Sequence, residues 1–502
     1  MKKTVNFWIL PIWLAAGVAA AQALPASSAQ LLVKARSGVP DLSCAQAPRR
    51  TSSPPAQDAD PLEIPDEEQV RDQLTPGGAM PMRGTVTASD TWKGFEGRSG
   101  KAFKVAIWGD SHQAAGFFSG ELLRLLQWPA EAVGQWIIPA TMNRPGIRLG
   151  LRKSCTSEHW RYEPAYFMSD AAAEPGPGLV SMNAVQPGAL LAWDVRNANG
   201  AADKDRVRIL YQQTALPIRL GVTVDGGGEQ VLTLRGEVGG AALDLSGDGP
   251  LSVITVRLLE GSFRFQGLEL PILDSTRLVL DVFGYPGATA AAWRRAKPDQ
   301  LKKWWGDDGY DMVVLAFGTN EGNVRPFDAA VYFQMLKSSV VAWREQFPNA
   351  ACVLIGPGDR GVLIRRSENL KAKKSSKVNQ GAKTKQKLSQ SQSNPAKVRA
   401  RSANPVAEPL TGKGASQDLF KYTRIHEEIG AMQEKLATEH GCKYWSMLDA
   451  MGGSGGAYRW ARNNPPWMAK DLIHFTVPGY QRLAQSFAED VGWQKSLLPR
   501  AP

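Results

Sequence analysis

Three side chains in this sequence have the types and the spacing that nucleophilic acyl transfer requires. Asp471 precedes His474 by three residues, so its carboxylate can accept the Nδ1–H of the imidazole while Nε2 faces a serine from elsewhere in the chain. None of the other four histidines follows an aspartate at this spacing, which makes His474 the candidate general base. Ser111 is the candidate nucleophile, because a Gly-Asp-Ser turn at 109–111 follows the apolar run at 105–108.

The elements around these residues must place them at one edge of a sheet. A buried strand is predicted at 103–108, and it presents Ser111 at its carboxyl end, where ligands bind in open α/β sheets. A second buried strand, at 311–317, is followed by Asn320, whose amide can donate a hydrogen bond to an oxyanion. Further strands are predicted at 278–283, 351–355 and 443–447, and helices at 114–127, 288–304, 328–346 and 418–439. This alternation predicts a parallel sheet with helices on both faces.

The order Gly-Asp-Ser, Gly-Thr-Asn, Asp-x-x-His resembles the SGNH (GDSL-type) hydrolase superfamily. The resemblance implies an α/β fold class: a three-layer α/β/α, flavodoxin-like SGNH domain with a parallel sheet. It also implies that Ser111 is the nucleophile, His474 the base and Asp471 the residue that orients it. The activity implied is that of an SGNH-type carboxylic ester hydrolase.

The same resemblance implies an oxyanion hole with three donors. These are the backbone N–H of Ser111, the side chain of Asn320 and the N–H of a glycine that follows the strand at 278–283. Both Gly284 and Gly287 stand there. The resemblance favours Gly287, because the glycine of the family stands before a short helix that starts with Ala-Thr or Asp-Thr, and Ala-Thr follows Gly287 directly.

Four further residues are candidates for the pocket. Asp110 is expected to cap or orient the turn of the nucleophile, and His112 to shape the pocket rather than to transfer protons. Trp460 and Trp467 lie in a loop rich in Pro, Gly and Asn just before the Asp-x-x-His motif. They either belong to the core or stack on a sugar ring at the rim of the cleft. No Cys/His cluster has the spacing of metal ligands, so no metal and no cofactor are expected.

From 180 to 273 the pattern changes to short alternating runs separated by Gly and Asp turns, which predicts an inserted β-sandwich, jelly-roll-like, between Ser111 and the glycine. An SGNH domain with an insert at this place resembles the bacterial peptidoglycan O-acetylesterases, in which the insert resembles a carbohydrate-binding module. The resemblance implies an O-acetylated polysaccharide as substrate, with peptidoglycan as the first candidate. A polysaccharide O-acetyltransferase with the same triad and a non-catalytic glycan-binding protein remain alternatives.

The amino terminus predicts export. Two lysines precede an apolar run at 7–21 and an Ala-Gln-Ala site, which is the pattern of a secretory signal peptide at 1–23. An uncleaved anchor is the alternative, although the run is shorter than the roughly 20 residues that span a bilayer. No other stretch is apolar enough for a transmembrane segment. The protein is therefore expected outside the cytoplasm, in the periplasm.

The remaining boundaries follow from composition. A Pro/Ala-rich linker with a possible short helix at 66–74 is predicted at 24–90, and the SGNH domain is predicted in three parts, at 91–179, 274–359 and 414–502. Four cysteines in an exported protein permit two disulfides. Because Cys352 and Cys442 both open predicted parallel strands, a bridge between them is expected, while the state of Cys44 and Cys155 stays open.

One segment holds the basicity of the chain. Residues 360–413 contain fourteen Lys and Arg against two Glu, a net charge of +12, whereas the whole chain carries +11. Such a Ser/Gln/Lys-rich segment is typical of a disordered insertion. It has either no ligand or an anionic envelope polymer as partner. Nucleic acid is not an expected partner of an exported protein.

Overall fold

The computed structural model describes residues 28–44, 62–74, 102–167, 174–296, 298–306, 309–365 and 417–493. The predicted signal peptide and most of the basic segment lie outside these ranges. Within them, no helix combines the length and the apolar character needed to cross a bilayer.

The described residues form twenty strands. They are β1 (Ser28–Val33), β2 (Leu62–Glu63), β3 (Phe103–Gly109), β4 (Val133–Gly134), β5 (Ile137–Pro139), β6 (Lys153–Thr156), β7 (Arg161–Pro164), β8 (Val180–Ala184), β9 (Leu190–Asp194) and β10 (Arg206–Gln213). The others are β11 (Ile218–Val224), β12 (Gln230–Leu234), β13 (Gly239–Gly247), β14 (Val253–Glu260), β15 (Phe263–Glu269), β16 (Leu278–Gly284), β17 (Met312–Ala316), β18 (Ala351–Gly356), β19 (Ile364–Arg365) and β20 (Lys443–Ser446).

The α-helices of the same residues are α1 (Glu67–Gln73), α2 (Ser111–Ala114), α3 (Phe117–Leu126), α4 (Pro298–Trp305), α5 (Ala329–Gln346), α6 (Lys421–Glu439), α7 (Met447–Ala450), α8 (Gly456–Arg462) and α9 (Val477–Val491). Short 3₁₀ helices lie at Ala130–Ala132, Ala165–Phe167, Ala290–Arg295 and Glu321–Asn323. The helix predicted at 114–127 is thus two helices, because Gly116 adopts a left-handed φ of 68° between them.

A parallel sheet forms the centre of the α/β domain, with the strand order β20-β18-β17-β3-β16-β4. Alternate residues of β3 face opposite sides, as strand geometry requires. Val105 packs in one core with Phe118 of α3 and Phe487 of α9, whereas Trp108 packs in a second core with Leu336 of α5. Both faces are therefore covered by helices, and the predicted three-layer α/β architecture is confirmed.

Two further sheets form a β-sandwich. One has the order β1-β13-β10-β15-β8-β7 with β5 also on β15, and the other has the order β12-β11-β14-β9-β6. Side chains from the two sheets interdigitate, as Trp193 on β9 and Phe265 on β15 do with their ring centroids 5.3 Å apart. The short alternating runs from 180 to 273 form strands in the structure, among them β11 and β12.

The predicted boundaries of this sandwich are wrong at its amino-terminal side. β5, β6 and β7 come before residue 180 yet belong to its two sheets. β1 lies in the predicted linker at 24–90 and pairs in parallel with β13. A single strand such as β1 gives little local signal, because its hydrogen bonds come from a strand more than 200 residues away.

The disordered insertion predicted at 360–413 is wrong at its start. Gly361 and Val362 are buried, and β19 pairs with β2. The described chain resumes at Gln417, whose Nε2 donates to the carbonyl of Leu363 at 3.0 Å. The first residues of this segment are therefore part of the folded domain.

Two disulfides are present. The expected bridge between Cys352 and Cys442 forms across the neighbouring parallel strands β18 and β20, with the Cα atoms 4.8 Å apart. Cys44 forms a second bridge with Cys155 on β6, with a Cα separation of 5.4 Å. The second bridge ties the amino-terminal segment to the sandwich.

Candidate active site

Ser111 lies on a tight turn at the carboxyl end of β3. Asp110 is the N-cap of α2, and its Oδ1 accepts the backbone N–H of His112 at 2.9 Å. A glycine is required at position 109, directly before Asp110, because a Cβ there would lie 2.5 Å from the Gln113 side chain. The turn thus presents Ser111 in the first turn of α2, and Asp110 occupies the capping position predicted for it.

The loop before α9 holds His474 against Asp471. Asp471 Oδ2 lies 2.7 Å from His474 Nδ1, and Oδ1 accepts the backbone N–H groups of Ile473 and His474, both at 3.0 Å. Leu472 has a left-handed φ of 55°, which is uncommon for a residue with a Cβ. Its side chain is fully buried, so packing offsets the strain of this conformation.

The triad is complete in space although its members are far apart in sequence. Ser111 Oγ lies 2.9 Å from His474 Nε2. Because the carboxylate of Asp471 can only accept, the hydrogen-bond network places the ring proton on Nδ1 and leaves Nε2 to accept from the serine hydroxyl. The structure therefore brings the three predicted residues together in the order that general-base activation of a serine needs.

Electrostatics support these protonation states. Partial burial alone would raise the pKa of Asp471, but hydrogen bonds from the His474 ring and from two backbone N–H groups lower it to about 2. The hydrogen bond with Asp471 is the largest influence on His474 and raises its pKa above the ordinary value, although burial acts in the opposite direction. A histidine with a raised pKa is a stronger base for the serine proton.

Gly287 lies in a turn suited to an oxyanion donor. Ala288 donates its N–H to the carbonyl of Tyr285 at 3.0 Å, and Gly287 has a φ of 80°. This is the position that a type II turn reserves for glycine, with Pro286 before it. Gly287 N–H has no acceptor among the described residues. Gly284 instead packs against α2, since a Cβ there would lie 2.5 Å from the backbone of Gln113.

Asn320, the third predicted donor, is hydrogen-bonded to this turn. Its Nδ2 donates one hydrogen to the carbonyl oxygen of Ala288 at 2.8 Å, which leaves the second amide hydrogen for a ligand. The next residue, Glu321, is buried and accepts the N–H of Ala290 at 2.9 Å and that of Gly318 at 3.1 Å. Burial raises the pKa of Glu321 to about 7. Nothing in the sequence around Glu321 pointed to this carboxyl group, which joins the loop of Asn320 to the loop that follows Gly287.

Comparisons with known proteins address the fold. No protein-family model matches the chain, and no curated protein does. A solved structure described as a peptidoglycan O-acetylesterase in action aligns with 78% of this chain and 91% of its own, at 23% identity and a TM-score of 0.50. The chain has an SGNH hydrolase-like fold.

Two other solved structures align over shorter regions. A lipase/acylhydrolase from Enterococcus faecalis has 16% identity over 45% of this chain and 80% of its own, with a TM-score of 0.24. The acetylxylan esterase Axe2 from Geobacillus stearothermophilus has 15% identity over 44% of this chain and 74% of its own, with a TM-score of 0.26.

His112 lies behind His474 in the SGNH-like domain. It is buried, its Nδ1 lies 3.2 Å from the hydroxyl of Tyr480, and its ring centroid is 5.5 Å from that of His474. Burial lowers the pKa of His112 to about 3, so the ring is neutral at physiological pH. This geometry agrees with the predicted role in shaping the pocket.

The two tryptophans before the Asp-x-x-His motif differ in exposure. Trp460 is only 6% exposed and belongs to the core. Stacking on a sugar at the rim is therefore wrong for Trp460, because the loop predicted there forms helix α8, which turns its ring inward. Trp467 is half-buried with its ring centroid 5.2 Å from that of Trp460, and its contact with a sugar stays a prediction.

The β-sandwich borders the turn that carries Gly287. The hydroxyl of Tyr285 donates to the carbonyl of Gly178 at 2.7 Å, and that of Tyr166 lies 3.5 Å from the carbonyl of Pro286. The sandwich thus lies on the β16 side of Ser111. Among the described residues, no group of three or more His, Cys, Asp or Glu side chains is arranged to hold a metal ion.

Proposed function

We propose that this protein is an exported serine esterase that removes O-acetyl groups from a cell-envelope polysaccharide. The observation that carries the proposal is the 2.9 Å contact between Ser111 Oγ and His474 Nε2, with Asp471 2.7 Å behind the ring. This contact lies at the carboxyl edge of an SGNH hydrolase-like sheet, where two loops with unused N–H donors converge.

The geometry accounts for both halves of the reaction. Ser111 Oγ attacks the acetyl carbonyl carbon while His474 Nε2 takes the hydroxyl proton, and the N–H groups of Ser111 and Gly287 with the Asn320 amide stabilise the oxyanion. As the tetrahedral intermediate collapses, the imidazolium returns the proton to the leaving sugar oxygen. A water molecule, deprotonated by His474, then attacks the acetyl-serine and releases acetate.

A polymeric substrate is supported by the position of the sandwich. This domain contacts the turn of Gly287 through Pro286, and so it can form one wall of the substrate cleft. We assign it a carbohydrate-binding role. Peptidoglycan is the first candidate substrate, because the aligned structure that covers 78% of this chain is described as a peptidoglycan O-acetylesterase.

Export to the periplasm is supported by two independent features. The first is the signal-peptide pattern at 1–23. The second is the pair of disulfides, since such bridges form and persist in oxidising compartments.

The test is acetate release by the purified protein from O-acetylated peptidoglycan, acetylated alginate and acetylated xylan, with Ser111→Ala as the control. Release by the wild type alone supports the proposal. Addition of a deacetylated acceptor glycan distinguishes the transferase, which would move the acetyl group to that glycan instead of releasing acetate. No acetyl transfer to either water or glycan would contradict the assignment and favour a glycan-binding protein.

A further inference from the structure

Arg360 lies in the loop after β18, next to the catalytic loop. The following residue, Gly361, donates its N–H to the carbonyl of Leu472 at 3.0 Å. Leu472 stands directly after Asp471, so the two loops run side by side. The charge of Arg360 acts on the catalytic pair, since it lowers the pKa of His474 against the stronger effect of Asp471.

The guanidinium of Arg360 is buried and has no ion-pair partner among the described residues, although the charge of Asp471 acts on it from a distance. Arg360 is only 9% exposed, and its Cζ lies 3.7 Å from the ring centroid of Tyr422. Nε and Nη1 have no hydrogen-bond partner in the part of the chain that the structure describes. Burial lowers the pKa of Arg360 to about 10, which keeps the group charged at neutral pH. A buried charge of this kind is costly unless an anion pairs with it.

The acidic groups nearby are already engaged. Asp359 accepts the hydroxyl of Thr423 at 2.7 Å and the N–H of Ala457 at 2.9 Å. Asp471 accepts from the ring and the backbone of the catalytic loop. Among the described residues, neither carboxylate forms an ion pair with Arg360. Because Nε and Nη1 are enclosed by protein atoms, an anion from outside the protein would reach the guanidinium at Nη2.

A second arginine adds positive charge at the same place. Arg325 follows the loop of Asn320 and lies over the ring of Tyr422, with its Cζ 4.9 Å from the centroid. The two like charges repel, and the Arg325 charge lowers the pKa of Arg360 further. An anion bound beside Arg360 would offset the positive charge at this place.

We propose that Arg360 binds a carboxylate on the sugar next to the acetyl ester, so that the substrate is an acidic O-acetylated polysaccharide. This inference rests on the proposed esterase function. Arg360 follows β18, whereas the sandwich lies on the β16 side, so a glycan chain would cross Ser111 between the two. Arginine suits the task because its planar fork of N–H donors is always charged, and its accessible Nη2 can donate to a carboxylate oxygen.

Binding without turnover tests the inference independently of the esterase activity. The Ser111→Ala protein and a Ser111→Ala, Arg360→Met protein are titrated by calorimetry with 3-acetoxybenzoate and with its neutral analogue 3-acetoxybenzamide. We expect the benzoate to bind about tenfold more tightly than the amide, and we expect Arg360→Met to abolish this preference. Equal affinities for the two compounds in the single variant would overturn the inference, whatever the result of the activity assays.

Turnover gives a second readout. The quantity is the ratio of kcat/KM for 3-acetoxybenzoate to that for the amide, at a pH on the plateau of the activity profile. We expect Arg360→Met to lower this ratio about tenfold, and Arg360→Lys to retain part of it, because lysine keeps the charge and loses the fork. A proportional loss on both esters would show a merely structural role and overturn the inference.

Arg344→Met is the matched control. Arg344 is half-buried, whereas Arg360 is buried. Arg344 lies in the last turn of α5 at the opposite edge of the sheet and donates to the carbonyls of Phe347 and Ala350. We expect Arg344→Met to lower the melting temperature and leave the ratio unchanged.

Acetylated alginate and acetylated peptidoglycan stripped of stem peptides then distinguish a uronic acid from the lactyl group of muramic acid. If Arg360→Met lost as much activity on neutral acetylxylan as on both of these acidic polymers, the inference would be overturned.

Discussion

Asn320 donates a side-chain hydrogen to the carbonyl oxygen of Ala288 at 2.8 Å, and this bond joins the two loops that carry the proposed oxyanion donors. The position of the donor is therefore fixed before substrate binds, which is the condition under which such a donor stabilises a transition state most. We expect Asn320→Ala to lower kcat by about 100-fold to 1000-fold with little change in KM. Steady-state kinetics on a nitrophenyl acetate measures this, and a change confined to KM would contradict it.

We expect Glu321→Gln to weaken the connection between the same two loops, which the buried Glu321 side chain also joins. Both carboxyl oxygens of Glu321 accept backbone N–H groups, from Ala290 and Gly318. An amide has one oxygen only, so its NH₂ would face a second donor and leave a buried N–H unpaired. We expect a loss of about 1–3 kcal/mol in the free energy of unfolding, together with a lower kcat. The control is Glu439→Gln at the exposed end of α6, and equal stabilities of the two variants would contradict the role of Glu321.

The activity should decline in acid as His474 becomes protonated, because only the neutral imidazole can accept the serine proton. The hydrogen bond with Asp471 raises the pKa of His474 above its ordinary value of 6.5. The acid limb of the profile should therefore lie above that value, and Asp471→Asn should move the titration of His474 to lower pH. NMR titration of ¹³C-labelled histidines measures this shift. His112, whose pKa burial lowers to about 3, should not titrate near neutrality, and an unshifted His474 in Asp471→Asn would contradict the account.

The sequence predicted the triad because its decisive pairing is local. Asp471 and His474 belong to one loop, and Ser111 belongs to a strand end that an apolar run identifies. The same reasoning missed Glu321 and Arg360, since their partners are set by tertiary packing. Nothing near Arg360 in sequence indicates that Tyr422 will lie under its guanidinium.

The fold shows the same division between local and long-range signals. The central strands were predictable, because strands buried on both faces read as continuous apolar runs. β1 was assigned to a linker, since its pairing with β13 spans more than 200 residues. The sequence left the core and the rim of the cleft as alternatives for Trp460, because a loop composition rich in Pro and Gly conceals the short helix α8.

Replacement of residues 367–415 by a short Gly/Ser linker should leave the folded domain intact. Gln417 donates to the carbonyl of Leu363 at 3.0 Å, so the two ends of this segment lie close together. We expect the same melting temperature and the same turnover of a nitrophenyl acetate, while any affinity for anionic envelope polymers should fall. Calorimetry and kinetics measure these quantities. A large drop in melting temperature would mean that the segment contributes to the core.

Loss of the bridge between Cys352 and Cys442 should destabilise the sheet. The bridge joins residues 90 positions apart, so its removal frees a long loop in the unfolded chain. We expect Cys352→Ser, Cys442→Ser to lose about 2–4 kcal/mol in the free energy of unfolding. Denaturant titration measures the loss. Two reactive thiols in the native wild-type protein, isolated from an oxidising compartment, would contradict the presence of the bridge.

The central claim is that Ser111 carries the acetyl group during the reaction. The most direct measurement is peptide mass spectrometry of the protein after rapid acid quenching of a reaction with an O-acetylated polysaccharide. We predict one added acetyl group on the Ser111 hydroxyl of the wild type and none in Ser111→Ala. Acetate release by Ser111→Ala at the wild-type rate, or an acetyl group on another residue in its place, would contradict the account.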